Sequence, residues 1–265
     1  MSDDIYEVYA IKYGRHERNA SENFIGGDPH DGPMPLDYFV WAIVGARGTV
    51  VLDTGFDEKV GARRGRSIVR PVHEGLAAIG VAPEKVETVI LSHMHYDHCG
   101  NDDLFPNARF HLQDREMEYA TGRCMCHAQL RNSYELDYVI STLRKVYAGR
   151  AEFHDGTGEI APGLTVHHIG GHAKGLQCVR VKTRVGHVVL ASDATHFYRH
   201  MDEGRIFPTT YHLGEVLDGY ATLRKLADAP QHIVPGHDPA VLDRYPVAKP
   251  GMEGWIVRLD AEPRE

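Results

Sequence analysis

Apolar and polar positions alternate along the early part of the chain with the period of two that marks strands. The pattern predicts strands over residues 5–11, 38–44 and 49–52, the last two joined by the turn Gly45-Ala46-Arg47-Gly48, with a Gly-, Pro- and Asp-rich loop over 26–35 before them. Helical spacing follows Pro71 over residues 72–79, where Gly80 is placed to stop it, and the short apolar run Thr88-Val89-Ile90-Leu91 reads as a buried strand. Further on, the pattern predicts a strand over 108–112, helices over 114–121 and 133–147, strands over 164–169, 177–181 and 187–191, a helix over 213–227 and a short strand over 232–234. Both halves run from strands to helices. No linker or break in composition divides the chain, so one domain over residues 1–265 is expected, with the segment after Pro246 packed on it or loosely ordered.

Composition narrows the possibilities. Of 265 residues, 42% are hydrophobic and 25% charged, a balance that excludes intrinsic disorder and fibrous repeats. With 29 Lys and Arg against 37 Asp and Glu the net charge is −8, and the only basic run is the short Arg63-Arg64-Gly65-Arg66, so no nucleic-acid partner is expected. No apolar stretch approaches the roughly 20 residues that cross a bilayer, which removes a membrane partner too. The start Met1-Ser2-Asp3-Asp4 lacks the apolar run of a secretory leader, and Cys99, Cys124, Cys126 and Cys178 read as reduced thiols of a cytoplasmic protein. Cys124-x-Cys126-His127 looks like half a metal knuckle, but no matching pair follows it.

Histidine changes the picture, because 18 of them are about three times the share of an average chain. His93, His95, Asp97 and His98 lie within six residues, directly after a buried-looking strand. A loop leaving a strand end can fold several donors around a centre about 2 Å from each, whereas a helix would scatter them. Gly100 then lets the backbone turn. Zinc takes imidazole nitrogen and carboxylate oxygen at low coordination number, but four donors are too few for two ions. Gly170-Gly171-His172, Ser192-Asp193 and Pro235-Gly236-His237 each follow a predicted strand and bring the candidate ligands to seven. His111, His167, His168 and His187 fall on predicted strands and read as packing or surface residues, while His16, His30 and His73 lie in polar, solvated segments.

The His-x-His-x-Asp-His loop followed by His172, Asp193 and His237 resembles the metallo-β-lactamase superfamily, and Val51-Leu52-Asp53-Thr54-Gly55 is similar to that family's turn before the metal loop. Within it, Leu52-Asp53-Thr54-Gly55, residues 92–100, Gly171-His172 and Pro235-Gly236-His237-Asp238 most resemble the N-acyl-homoserine lactonase branch. The resemblance implies an α+β fold, a four-layer αββα sandwich with a dinuclear metal centre on its rim. It implies two Zn2+ ions, other divalent metals being alternatives, with His93, His95 and His172 on the first, Asp97, His98 and His237 on the second, and Asp193 bridging. The implied activity is the opening of a lactone, an N-acyl-homoserine lactone or a catabolic lactone, by attack of a hydroxide held between the zinc ions. Alternatives are another hydrolase of the fold acting on a thioester, ester or cyclic amide, and a mononuclear iron dioxygenase.

The same resemblance implies particular roles. Asp97 would pass a proton to the leaving oxygen. The lactonase branch has a tyrosine three residues after the bridging aspartate; here that position is His196, which would donate a hydrogen bond to the substrate carbonyl or act as acid and base. Tyr198, Tyr211 and His212 are candidates to supply the missing hydroxyl or line the pocket. Asp53 would orient a ligand histidine from beneath the metal loop. Residues 122–138, with Met125, Leu130, Tyr134, Leu136 and Tyr138, would help to cover the pocket. The expected partner is a small lactone or ester, with a homodimer left open.

Overall fold

Strands whose side chains are buried on both faces form the centre of the molecule. The computed structural model describes residues 4–264, so Met1, Ser2 and Asp3 of the acidic start lie outside the described residues. The strands are β1 (Glu7–His16), β2 (Leu36–Gly45), β3 (Gly48–Leu52), β4 (Ser67–Ile68), β5 (Thr88–Ile90), β6 (Arg109–Gln113), β7 (Ala151–His154), β8 (Thr157–Ala161), β9 (Leu164–His168), β10 (Gln177–Thr183), β11 (Gly186–Ser192), β12 (Ile233–Pro235) and β13 (Ile256–Arg258). One sheet has the order β13-β1-β2-β3-β5-β6-β7 with β4 paired to β1, and the other the order β12-β11-β10-β9-β8.

Period-two alternation sorts each strand's residues between two cores. Val8, Ala10, Phe39, Trp41 and Ile43 of the first sheet face inward onto Val166, Val179, Val181, Val188 and Leu190 of the second. Their neighbours Tyr9, Ile11, Val40 and Ala42 point the other way, into a core that also contains Val72, Leu76 and Val139 from helices Val72–Ala78 and Leu136–Tyr147. Cys178, Val189 and Ala191 leave the second sheet toward Val216, Tyr220 and Leu223 of the helix Leu213–Leu226. Helix, sheet, sheet and helix are therefore stacked in four layers, the αββα sandwich that the family resemblance implies.

Departures from the expected boundaries have local causes. β1 runs on to His16, beyond the expected end at residue 11, because Lys12 keeps its place in the strand by pairing with the buried Asp37 at 2.8 Å. The expected helix over 133–147 starts only at Leu136. Ser133 is held back by its carbonyl, which accepts from the Tyr96 amide at 2.8 Å, and Tyr134 by its hydroxyl, which donates to Glu116 at 2.8 Å. The segment after Pro246 is packed, since β13 pairs antiparallel with β1 and closes that edge of the sheet. β7, β8 and the helices Glu58–Arg64, Tyr198–Glu203 and Ala240–Arg244 add elements that the pattern did not predict. No helix among the described residues is long and apolar enough to cross a membrane.

Candidate metal centre

Every expected ligand leaves the C-terminal end of a strand at one rim of the sandwich. β5 stops at Ile90, so a continuing strand does not carry His93 and His95; the chain folds back on itself instead. The His98 amide donates to the His95 carbonyl at 3.0 Å, the Thr54 amide to the His98 carbonyl at 2.8 Å, and the Gly100 amide to the Gly55 carbonyl at 2.7 Å. The result is a compact loop with His93, His95, Asp97 and His98 all buried. His172 follows Gly170 and Gly171, whose φ angles of 72° and 78° lie in the left-handed region, and a Cβ on Gly171 would sit 2.6 Å from the Val216 amide nitrogen. Only glycine turns the chain there. Asp193 follows Ser192, itself at φ 47° and anchored by a 2.9 Å bond from its Oγ to that of Ser92. His237 follows β12 and donates from Nδ1 to the Asp37 carbonyl at 3.0 Å, which aims its Nε2 at Asp193.

The donor atoms gather into groups. Those of His93, His95 and His172 lie within 4.8 Å of one another, as do those of Asp97, His98 and His237, and those of His93, His98 and Asp193. Asp193 divides its carboxylate between the two sides. Its Oδ2 is 3.2 Å from His172 Nε2 and 4.0 Å from His93 Nε2, while its Oδ1 is 3.2 Å from His98 Nε2 and 2.9 Å from His237 Nε2. Asp97 Oδ2 completes the second side at 3.6 Å from His98 Nε2 and 3.8 Å from His237 Nε2. Donors bound at about 2.0–2.1 Å around a tetrahedral ion stand roughly 3.3 Å apart, so a cation fits among donors at these separations. His93 Nε2 is buried without a hydrogen-bond partner among the described residues. An orphaned imidazole nitrogen facing other donors is what a ligand looks like without its ion. The donor set fits a divalent-metal centre.

Electrostatics agree. Burial, reinforced by the neighbouring imidazoles, holds His93 and His95 well below the usual histidine range, and burial also lowers His172. Burial alone would raise Asp97 and Asp193, but the surrounding histidines outweigh it and hold both below the usual carboxylate range. Neutral imidazole and ionised carboxylate are the protonation states that bind metal. His98 and His237 move up because, against burial, Asp193 and Asp97 favour positive charge beside them. A metal ion would satisfy that same demand.

Asp53 sits at φ 61°, uncommon for a residue with a side chain, directly beneath this cluster. Its Oδ2 accepts from His98 Nδ1 at 2.7 Å and from Ser92 Oγ at 2.8 Å, and its Oδ1 accepts from the Ser92 amide at 2.7 Å. The expected orienting contact is therefore made, and it leaves His98 Nε2 pointing at the ligands. Asp53→Asn keeps a residue that tolerates positive φ but removes an acceptor; it should weaken divalent-metal affinity by about 10- to 100-fold, read by competition with a chromophoric chelator. Unchanged affinity would reduce Asp53 to a turn residue.

His196 lies among the ligands themselves: its Nε2 is 3.1 Å from Asp193 Oδ2, its donor atom groups with those of His172 and Asp193, and its ring stacks on Phe207 with centroids 3.7 Å apart. Of the aromatic candidates nearby, Tyr198 lies under the Arg244 guanidinium and His212 caps the helix Leu213–Leu226 by accepting from the Glu215 amide at 3.1 Å; neither reaches the cavity. Tyr211 does line it. From residues 122–138, Leu130 lines the cavity, whereas Tyr134 is bonded to Glu116, Tyr138 to Asp57, and Leu136 is 72% exposed. All four cysteines are free; Cys99 packs behind the loop with Sγ 3.4 Å from the Met94 and His95 carbonyls.

Two adjoining cavities, of about 190 and 260 Å³, open on the cluster and share His95, Asn132, Ser133, His172 and Thr209. The smaller is also lined by residues that the sequence reading passed over: Tyr38, Tyr96, Arg18, Arg64 and Arg66. Arg64 and Arg66 belong to the short basic run Arg63-Arg64-Gly65-Arg66; nothing local marks Tyr38, Tyr96 or Arg18.

Comparison with known proteins gives a consistent picture. The sequence model of the metallo-beta-lactamase superfamily matches residues 34–237. The chain is 28% identical over 238 residues to the N-acyl homoserine lactonase AttM of Azorhizobium caulinodans, covering 84% of this chain and 88% of that protein. It is 29% identical over 122 residues to an N-acyl homoserine lactonase of Bacillus cereus, an alignment that spans 46% of this chain and 43% of that one. The fold matches the crystal structure of an N-acyl homoserine lactone hydrolase with the product N-hexanoyl-L-homoserine bound at its catalytic metal centre, with a TM-score of 0.72, 21% identity, and coverage of 89% and 94% of the two chains.

Proposed function

The chain belongs to the metallo-beta-lactamase superfamily, and from that premise we propose that it is a metal-dependent hydrolase that opens lactone rings, with two Zn2+ ions as cofactors, acting as one domain in the cytoplasm. The observation that carries this reading is the division of Asp193, one carboxylate oxygen toward each of two ligand trios beside a cavity. His93, His95 and His172 would hold one ion, Asp97, His98 and His237 the other, and Asp193 both. The nitrogen and oxygen donors at low coordination number favour zinc. Relatives named as N-acyl homoserine lactonases support a lactone as the substrate class.

Bound there, two divalent ions would supply the Lewis acidity and the lowered water pKa that ester hydrolysis needs near neutral pH. Asp97 lines the smaller cavity beside its ligand trio, so it is the group placed to pass a proton to the leaving alkoxide. His196, fixed by its stack on Phe207, is held at the cavity wall against Asp193, where it orients that carboxylate or donates to a substrate oxygen. The trio His172, Asp193 and His196 is also a two-histidine, one-carboxylate set, and this favours a mononuclear iron oxygenase as the second reading.

The test is to incubate metal-analysed protein with acyl-homoserine, simple γ- and δ-lactones and aromatic-fused lactones, following acid release with a pH indicator and oxygen with an electrode. Opening of at least one lactone class without oxygen uptake is expected. Hydrolysis confined to thioesters or β-lactams, or consumption of oxygen, would overturn the lactonase reading.

A further inference from the structure

The smaller cavity is lined by two guanidinium groups, those of Arg18 and Arg66, that make no direct ion pair among the described residues. Arg64 is accounted for: its Nε pairs with Glu135 at 2.6 Å, its Nη2 donates to the Asn132 carbonyl at 2.8 Å, and its guanidinium lies over the Tyr96 ring. Arg66 has no carboxylate partner among the described residues. Its Nε donates to the Tyr96 hydroxyl at 3.0 Å, and its Nη1 donates to His16 Nε2 at 3.0 Å and to the Arg64 carbonyl at 2.6 Å. These neutral acceptors fix the guanidinium without cancelling its charge. Arg18 likewise has no ion pair among the described residues; its Nη2 donates to the Glu22 carbonyl, its guanidinium lies 5.1 Å from the Phe207 ring centroid, and its Nε is buried with no partner.

Both arginines line the same cavity as Asp97 and His237. Burial, followed by Arg66 and Arg18, pushes the nearby His16 down to about 4, so that ring stays neutral and adds no compensation. Asp97 and Asp193 are the carboxylates that share this cavity; with both taken up by metal ions, an occupant that brings negative charge would balance the two half-buried guanidinium groups. Arginine's planar fork suits a carboxylate. The other cavity has no arginine in its lining: Tyr119, Leu130, Pro208 and Tyr211 form its apolar part, alongside polar groups such as Gln129 and Thr210.

We infer that the substrate is a lactone carrying a carboxylate, its carboxylate seated on Arg18 and Arg66 and its apolar body in the lobe lined by Tyr119, Leu130 and Tyr211. This inference rests on the lactonase reading and names its substrate class. Sequence spacing hides it, since Arg18 and Arg66 meet only through folding.

The probes are γ-butyrolactone-γ-carboxylate and a carboxyphthalide, each compared with its carboxamide on the metal-loaded protein, with isophthalate as a non-reacting ligand in calorimetry. The wild type is expected to prefer the carboxylates by about 10- to 100-fold in kcat/KM, the worth of a charge-assisted hydrogen-bond pair. Arg66→Gln and Arg18→Gln should each lower that preference by about 10-fold, through KM, and weaken isophthalate binding by a similar factor. Because Arg66 also knits Tyr96 and His16 together, the Arg18 variant and the wild-type ratio stand independently of its folding. Carboxamides opened as well as the carboxylates would overturn the inference and leave the lactonase reading standing. If no lactone is opened, the lactonase reading falls, and isophthalate bound equally by wild type and variants would remove the anion site as well.

Discussion

Asp193→Ala is expected to lose both metal ions and, with them, lactone hydrolysis, by on the order of 10³-fold or more in kcat/KM. No other side chain of the cluster is shared in this way: its Oδ2 stands 3.2 Å from His172 Nε2 and its Oδ1 2.9 Å from His237 Nε2. Removal takes one donor and half of the negative charge from a cluster whose other candidate carboxylate ligand is Asp97. Repulsion between two divalent ions is then opposed by a single anion. Metal analysis after gel filtration, together with initial rates on any lactone the wild type opens, reads the result. Far-UV circular dichroism confirms folding. A variant that keeps two metal equivalents and a tenth of the wild-type rate would show that Asp193 is not the bridge.

Glu116→Ala is expected to produce the largest loss of stability. Glu116 belongs to the helix Asp114–Thr121 and is fully buried. Its Oε1 accepts from the Met94 amide at 2.9 Å and from the Tyr134 hydroxyl at 2.8 Å, and its Oε2 accepts from the Gly175 amide at 2.9 Å. One carboxylate thus ties the His93–His95 turn, the segment before the helix Leu136–Tyr147 and the loop after His172. Burial moves its carboxyl above the usual range, partly offset by the three hydrogen bonds. Alanine would strand those donors at about 1–3 kcal/mol each before relaxation, so a net loss of roughly 3 kcal/mol is expected. In a chain of this size that lowers Tm by about 6–12 °C. Glu116→Gln retains the shape and should lose about 1–3 kcal/mol. Glu116 is a positioning residue, so both variants should also bind metal more weakly; a drop in Tm with metal affinity unchanged would confine its role to packing.

The convergence of these side chains could be read along the chain because each candidate ligand follows a strand end, where local pattern and chemistry coincide. The alternation in residues 38–44 and the order of His93, His95, Asp97, His98, His172, Asp193 and His237 needed no tertiary information. Glu116 shows why other features did not. On a short, polar helix it reads as a solvent-facing acid, and only three donors from distant segments bury it. Arg18 and Arg66 carry no local sign that they share a cavity, because β1 and the loop after the helix Glu58–Arg64 meet only through long-range pairing of β1 with β4. Likewise, β13 gains its strand geometry from β1 rather than from its own sequence. His196 illustrates a contact that only folding reveals: at the cavity wall its ring stacks on Phe207 and its Nε2 meets Asp193.

Anomalous diffraction from zinc-saturated crystals, measured on either side of the zinc absorption edge, would be decisive. Two peaks are predicted per chain, one among His93, His95 and His172 and one among Asp97, His98 and His237, each in contact with a different oxygen of Asp193. A single peak, or none within reach of those side chains at saturating zinc, would contradict the dinuclear centre on which the proposed chemistry depends.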